Sequence, residues 1–155
     1  MINNDIMKRL KVVALDFDNT LCIHTDRNTE INQDLIAGTY NFDKSMASRH
    51  LREFIELCRT QGIQLGVISA TPLAPVVQVK MEWVRKHYGD GFENWCVGTA
   101  QEKASLLDII SRIHHLNPCS IMIVDDSFEA LQLCEKIGFE TCTPMEIVNY
   151  MEEID

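Results

Sequence analysis

The chain has 155 residues, a length that fits one domain and suffices to bury a core without disulfide or metal staples. Apolar residues make up 46% and charged residues 24%, a globular balance that indicates neither a disordered nor a membrane-embedded chain. The formal net charge of −9 argues against nonspecific binding to duplex nucleic acid, because a negative field repels a polyanion.

In chain order, Leu10 to Leu15 (LKVVAL) reads as a buried strand that ends at the polar run DFDNT. Cys22 to Lys44 is polar and aperiodic, and is expected to form a loop or small flap over a site. Ser45 to Gln61 places Met46, Leu51, Phe54, Ile55 and Cys58 at helical spacing, and Gly62 stops that helix. Ile63 to Ile68 is a second strand ending at Ser69. Pro72 and Pro75 punctuate the turn into a helix over Val76 to Tyr88.

Trp95 to Val97 is a short third strand. Gln101 to His114 is a helix with apolar Leu106, Leu107, Ile109, Ile110 and Ile113. Ser120 to Val124 is a fourth strand, followed at once by Asp125 and Asp126. Ser127 caps the next helix, which ends at Gly138. Phe139 to Thr143 is a fifth strand, and Pro144 opens a last helix. The alternation predicts an α/β domain over 1–155, Rossmann-like, with a parallel sheet of about five strands and helices on both faces.

No apolar run approaches ~20 residues, so no transmembrane helix is expected, and Met1 to Lys11 lacks the apolar segment of a signal peptide. The six cysteines form no C-x-x-C pair, which favours reduced thiols in a cytoplasmic protein over a zinc site. Trp83 and Trp95 read as core aromatics, and His24 as an exposed loop histidine.

Ligands of a parallel α/β sheet bind at the carboxyl ends of its strands. Three such ends carry chemistry here: Asp16 and Asp18, then Ser69, then Asp125 and Asp126. Carboxylates meeting in one crevice repel each other unless a cation is shared, and Mg²⁺ suits a few carboxylates, waters and a phosphate. A carboxylate there can attack phosphorus, and a second one two residues on can act as general acid and base. The Ser69 hydroxyl and the Ala70 amide can hold a phosphate oxygen, and Lys103 can neutralise charge. Each residue alone has a plainer reading: a turn for Asp16 and Asp18, a strand-end cap for Ser69, a solvated surface lysine for Lys103.

The ordered set resembles the haloacid dehalogenase superfamily. Its four motifs are matched by VVALDFDNTL, LGVIS, GTAQEKASLLDII and IMIVDDS, spanning Leu10 to Ser127. The resemblance implies a nucleophile and metal ligand in Asp16, with Asp18 as general acid/base giving its backbone carbonyl to the metal. Thr20 would brace the turn and join Ser69, Ala70 and Lys103 in holding the phosphoryl group, and Asp126 would ligate Mg²⁺ directly. Asp125 would lie in or just beyond the ligand shell. Lys80 competes with Lys103 for the lysine role, and Lys103 is preferred because it starts a helix shortly before the fourth motif.

An aspartate at position 18 points to the phosphatase branch, because a halide leaving group needs no proton. The resemblance thus implies a Mg²⁺-dependent phosphatase working through an aspartyl-phosphate. A noncatalytic or regulatory module and a phosphomutase stand as alternatives. A receiver-type signalling domain places its paired acids after the first strand, which this sequence does not. No segment is long enough for a full cap domain, so the expected site is open. It would take a small or macromolecular phosphoester, sugar phosphates included, or be closed by a neighbouring subunit.

Overall fold

The computed structural model describes residues 1–24, 42 and 45–155. Residues 25–41, 43 and 44, and with them most of the expected flap, lie outside the described residues. Helix α1 (Asn4–Arg9) opens the fold, capped by the Asn3 side chain on the Ile6 amide. Strands β1 (Val12–Leu15), β4 (Gln64–Val67), β5 (Phe92–Asn94), β6 (Ile121–Val124) and β7 (Glu140–Cys142) form one parallel sheet in the order β5-β4-β1-β6-β7. Two-residue strands β2 (Cys22–Ile23) and β3 (Met46–Ala47) pair antiparallel beside it.

Every residue of β1 and β6 is buried, because helices cover both faces of the sheet. Alternation along the strands divides the core into two clusters. Val13, Leu15, Val67, Met122 and Val124 meet helices α2 (Arg49–Thr60), α3 (Ala74–Tyr88) and α6 (Pro144–Ile154). Val12, Ala14, Ile121 and Ile123 meet α4 (Gln101–Ile113) and α5 (Phe128–Ile137). A left-handed Gly138 (φ 107°) ends α5, a conformation that costs glycine little.

Some expected bounds change. The helix expected from Ser45 starts at Arg49, because the Ser48 hydroxyl accepts from the Leu51 amide and caps it there. Met46 is therefore an exposed strand residue instead of part of a helical face. The third strand is Phe92–Asn94, displaced from Trp95–Val97, although its contact continues through the Trp95 amide to the Val67 carbonyl and an isolated Ala70–Val97 bridge. In α4, Leu107 and Ile110 are buried with Ala104, whereas Ile109 and Ile113 are exposed. Those two lie one helical turn apart on the opposite side, so the apolar face is narrower than composition suggests.

The order of strands has one reversal. From β1 the chain steps outward to β4 and β5, then crosses back to β6 and β7 on the other side. The crevice of a doubly wound sheet opens at such a switch, here between the carboxyl ends of β1 and β6. Asp16 follows the one strand and Asp125 the other.

Candidate active site

The turn after β1 explains how alternate residues part company. The Thr20 and Cys22 amides donate to the Phe17 carbonyl, the Leu21 amide donates to the Asp16 carbonyl, and Asn19 sits in the left-handed region at φ 58°. Asparagine tolerates that region better than most residues. Phe17 turns into the core, edge-on to Phe42 and Trp83 with centroids 5.0 and 5.5 Å away. Asp16 and Asp18 face the sheet mouth. Thr20 is buried, and its hydroxyl stands 3.5 Å from Asp16 Oδ2 at the outer edge of hydrogen bonding.

Lys103, in the first turn of α4 and only 4% exposed, ties the two strand ends together. Its ammonium donates to Asp16 Oδ1 at 2.9 Å and to Asp125 Oδ2 at 2.8 Å. The other Asp125 oxygen accepts from the Ser127 amide at 2.9 Å, so this fully buried carboxylate is held at both ends. A buried charge is tolerable when it is paired in this way.

Lys80 is also in the site, on Asp18 where Lys103 is on Asp16. It projects from α3, is 2% exposed, and its ammonium reaches Asp18 Oδ2 at 2.8 Å, Thr71 Oγ1 at 2.8 Å and Ser69 Oγ at 3.0 Å. Those three acceptors match its three protons. The ammonium also lies 5.1 Å from the Phe17 ring centroid. Ser69 and Thr71 are bonded to each other at 3.0 Å.

His24 corrects the sequence reading. Its side chain is largely buried, with Nε2 2.8 Å from Asp18 Oδ1 and Nδ1 3.3 Å from Ser45 Oγ. Asp18 is thus clamped on one oxygen by His24 and on the other by Lys80. Thr71 was the residue missed, and His24 was read as an exposed loop histidine: the side chains that place them, Lys80 for Thr71 and Asp18 for His24, sit on different elements, so no helical or strand period announces either.

The electrostatics follow from these contacts. Burial pushes the Asp16 carboxyl well above its ordinary value; Lys103 works against this, and Asp125 and Asp18 add to it. Burial would also raise Asp18, but the His24 hydrogen bond and the Lys80 charge prevail and bring it down to about 2. Burial lowers the Lys103 ammonium, yet Asp16 and Asp125 outweigh that and raise it. The exposed Asp126 is raised by its partial burial and by Asp125.

Asp16, Asp125 and Asp126 bring one oxygen each within 4.8 Å of one another. Three carboxylate oxygens, two of them on groups whose ionisation is disfavoured, form a hard donor set that suits a small divalent cation. Of the expected residues, Asp16, Lys103, Asp125 and Asp126 therefore gather on one side, with Asp18, Ser69, Ala70 and Lys80 on the other.

No protein-family model and no curated protein sequence matches the chain. Solved structures do. A magnesium and phosphate complex of the HAD family enzyme BT-2542 from Bacteroides thetaiotaomicron has a TM-score of 0.57 at 12% identity, over 86% of this chain and 93% of that one. The fold is that of the haloacid dehalogenase enzymes. The cobalt-bound deoxy-D-mannose-octulosonate 8-phosphate phosphatase of Haemophilus influenzae has a TM-score of 0.56 at 13% identity, over 94% and 77% of the two chains. The Moraxella catarrhalis 3-deoxy-D-manno-octulosonate 8-phosphate phosphatase, bound to magnesium, phosphate and KDO, has a TM-score of 0.50 at 14% identity, over 83% of this chain. The chain spans 64% of that enzyme's length. Among the described residues, no helix is long and apolar enough to cross a membrane.

Proposed function

We propose that the chain is a phosphatase of the haloacid dehalogenase family that hydrolyses a phosphate monoester through an aspartyl-phosphate on Asp16. The observation that carries this reading is the pair of clamped aspartates: Asp16 fixed by Lys103, and Asp18 fixed by Lys80 and His24. The dehalogenase-like fold and the phosphate-bound neighbours support it.

In the first step an Asp16 oxygen attacks phosphorus. The bond from phosphorus to the leaving oxygen breaks, and that oxygen takes a proton from Asp18. His24 and Lys80 hold the Asp18 carboxyl down in the free protein, so the proton it delivers is taken up from solvent as the arriving phosphoryl anion raises its proton affinity. In the second step the Asp18 carboxylate takes a proton from water, the water oxygen attacks phosphorus, and phosphate leaves Asp16. Lys103 offsets charge on Asp16 and on the phosphoryl oxygens throughout. The Ser69 hydroxyl and the Ala70 amide hold those oxygens.

A Mg²⁺ ion would be held by Asp16 and Asp126, with Asp125 and the Asp18 carbonyl beside them, and would supply positive charge against the phosphoryl group. Asp125 has both oxygens engaged by Lys103 and the Ser127 amide, which leaves Asp126 as the freer ligand.

The test is p-nitrophenyl phosphate hydrolysis with and without Mg²⁺, using Asp16→Asn as control. Magnesium-dependent turnover that vanishes in the variant is the expected result. Turnover that survives in Asp16→Asn would contradict the reading.

A further inference from the structure

A pocket of about 140 Å³ opens beside Asp18. Its walls include Ala70, Pro72, Leu73 and Val76, with Thr71 and the Lys80 stem behind them, and neither Asp16, Lys103 nor Asp126 lines it. The pocket therefore lies on the acid's side of the site, away from the carboxylate cluster. This space is open to the organic group of a leaving oxygen protonated by Asp18.

Among the described residues, the side-chain donors around the pocket are already engaged. The Lys80 ammonium is spent on Asp18, Ser69 and Thr71, and the Thr71 amide is bonded to the Val97 carbonyl at 2.7 Å. What remains for a ligand is mostly aliphatic surface. A polyhydroxylated group placed here would lose water without gaining partners.

Leu73 gives a second, independent indication. It holds the N-cap position of α3, where Pro75 has no amide hydrogen and the Val76 amide is already bonded to the Leu73 carbonyl at 3.1 Å, so no capping side chain is called for. It is 38% exposed, so its apolar side chain is not there to fill the core. An apolar side chain left exposed at the lip of a cleft keeps its surface for a ligand.

Resting on the phosphatase reading, we propose that this pocket receives the leaving group, and that the substrate is the phosphate monoester of a compact apolar alcohol, aromatic or short aliphatic, instead of a sugar. Pro72, Leu73 and Val76 set that preference.

The experiment compares benzyl phosphate with glucose 6-phosphate, both esters of primary alcohols. The wild-type kcat/KM should favour benzyl phosphate by about tenfold or more. Leu73→Ser should shrink that ratio severalfold while changing the melting temperature little, since Leu73 is partly exposed and outside the core. Equal or better turnover of the sugar ester, or a ratio that Leu73→Ser does not move, would overturn the proposal. If neither these esters nor p-nitrophenyl phosphate turns over, the phosphatase reading falls and binding judges the pocket. By calorimetry, benzylphosphonate should then bind about tenfold tighter than methylphosphonate in wild type only; equal binding of the two would overturn the pocket.

Discussion

Replacing Lys80 with methionine keeps the length of the stem beside Phe17 and removes three donors at once. Ser69 and Thr71 still bond each other, so the principal loss is the charged hydrogen bond to Asp18. Such bonds contribute about 1.5–3 kcal/mol. Relief from burying the ammonium offsets part of this, leaving a net cost of about 1–2 kcal/mol. For a domain of this size that is a fall of roughly 2–8 °C in melting temperature. The activity change should depend on the leaving group. A well-placed general acid contributes about 10²–10⁴ in rate, and a loosened one forfeits part of that. An alkyl phosphate should therefore lose about 10- to 100-fold in kcat/KM, whereas p-nitrophenyl phosphate, whose leaving group departs without a proton, should change only about threefold or less. The assay is kcat/KM for both esters alongside thermal unfolding. An equal loss on both would refute the reasoning and assign Lys80 to the phosphoryl group instead.

Three further outcomes are expected. Gly66→Ala should destabilise the fold by about 1–3 kcal/mol in urea unfolding, because a Cβ there would run into the Trp95 ring. Saturating Mg²⁺, at roughly 100 times its dissociation constant, should stabilise the protein by about 2.7 kcal/mol near pH 7. That gain should shrink as pH falls, since Asp16 and Asp126 both have raised carboxyls and protons then displace the cation from them; a pH-independent gain in thermal shift would contradict this. In the native state, a thiol reagent should modify Cys96 and Cys119 ahead of the other four. Burial raises Cys96 as well as those four, so the order rests on access: Cys96 and Cys119 are half-buried and the others buried.

Much of the site was legible because it lies at strand ends. The apolar run before Asp16 and the one before Asp125 each mark a fully buried strand, and a parallel sheet brings such ends together. Phe17 between the two aspartates is the local sign that they face one way and the core the other. Lys80 was harder to place. It sits among Val76, Met81, Trp83 and Val84 on the buried face of α3, where a lysine reads as an interruption until Asp18 is seen opposite. His24 depends on β2 and β3, and strands of two residues have no period to detect. The same shortness hid the true start of α2, which the Ser48 cap decides.

The central claim is that phosphate passes through Asp16. Asp18→Asn removes the base of the second step, and p-nitrophenyl phosphate needs no acid in the first, so the intermediate should accumulate. Acid quenching followed by borohydride reduction and peptide mass spectrometry reads it directly. The account predicts a phosphoryl adduct on intact protein and homoserine in place of Asp16. A phosphoryl group on another residue, or release of p-nitrophenol with no adduct at all, would contradict it.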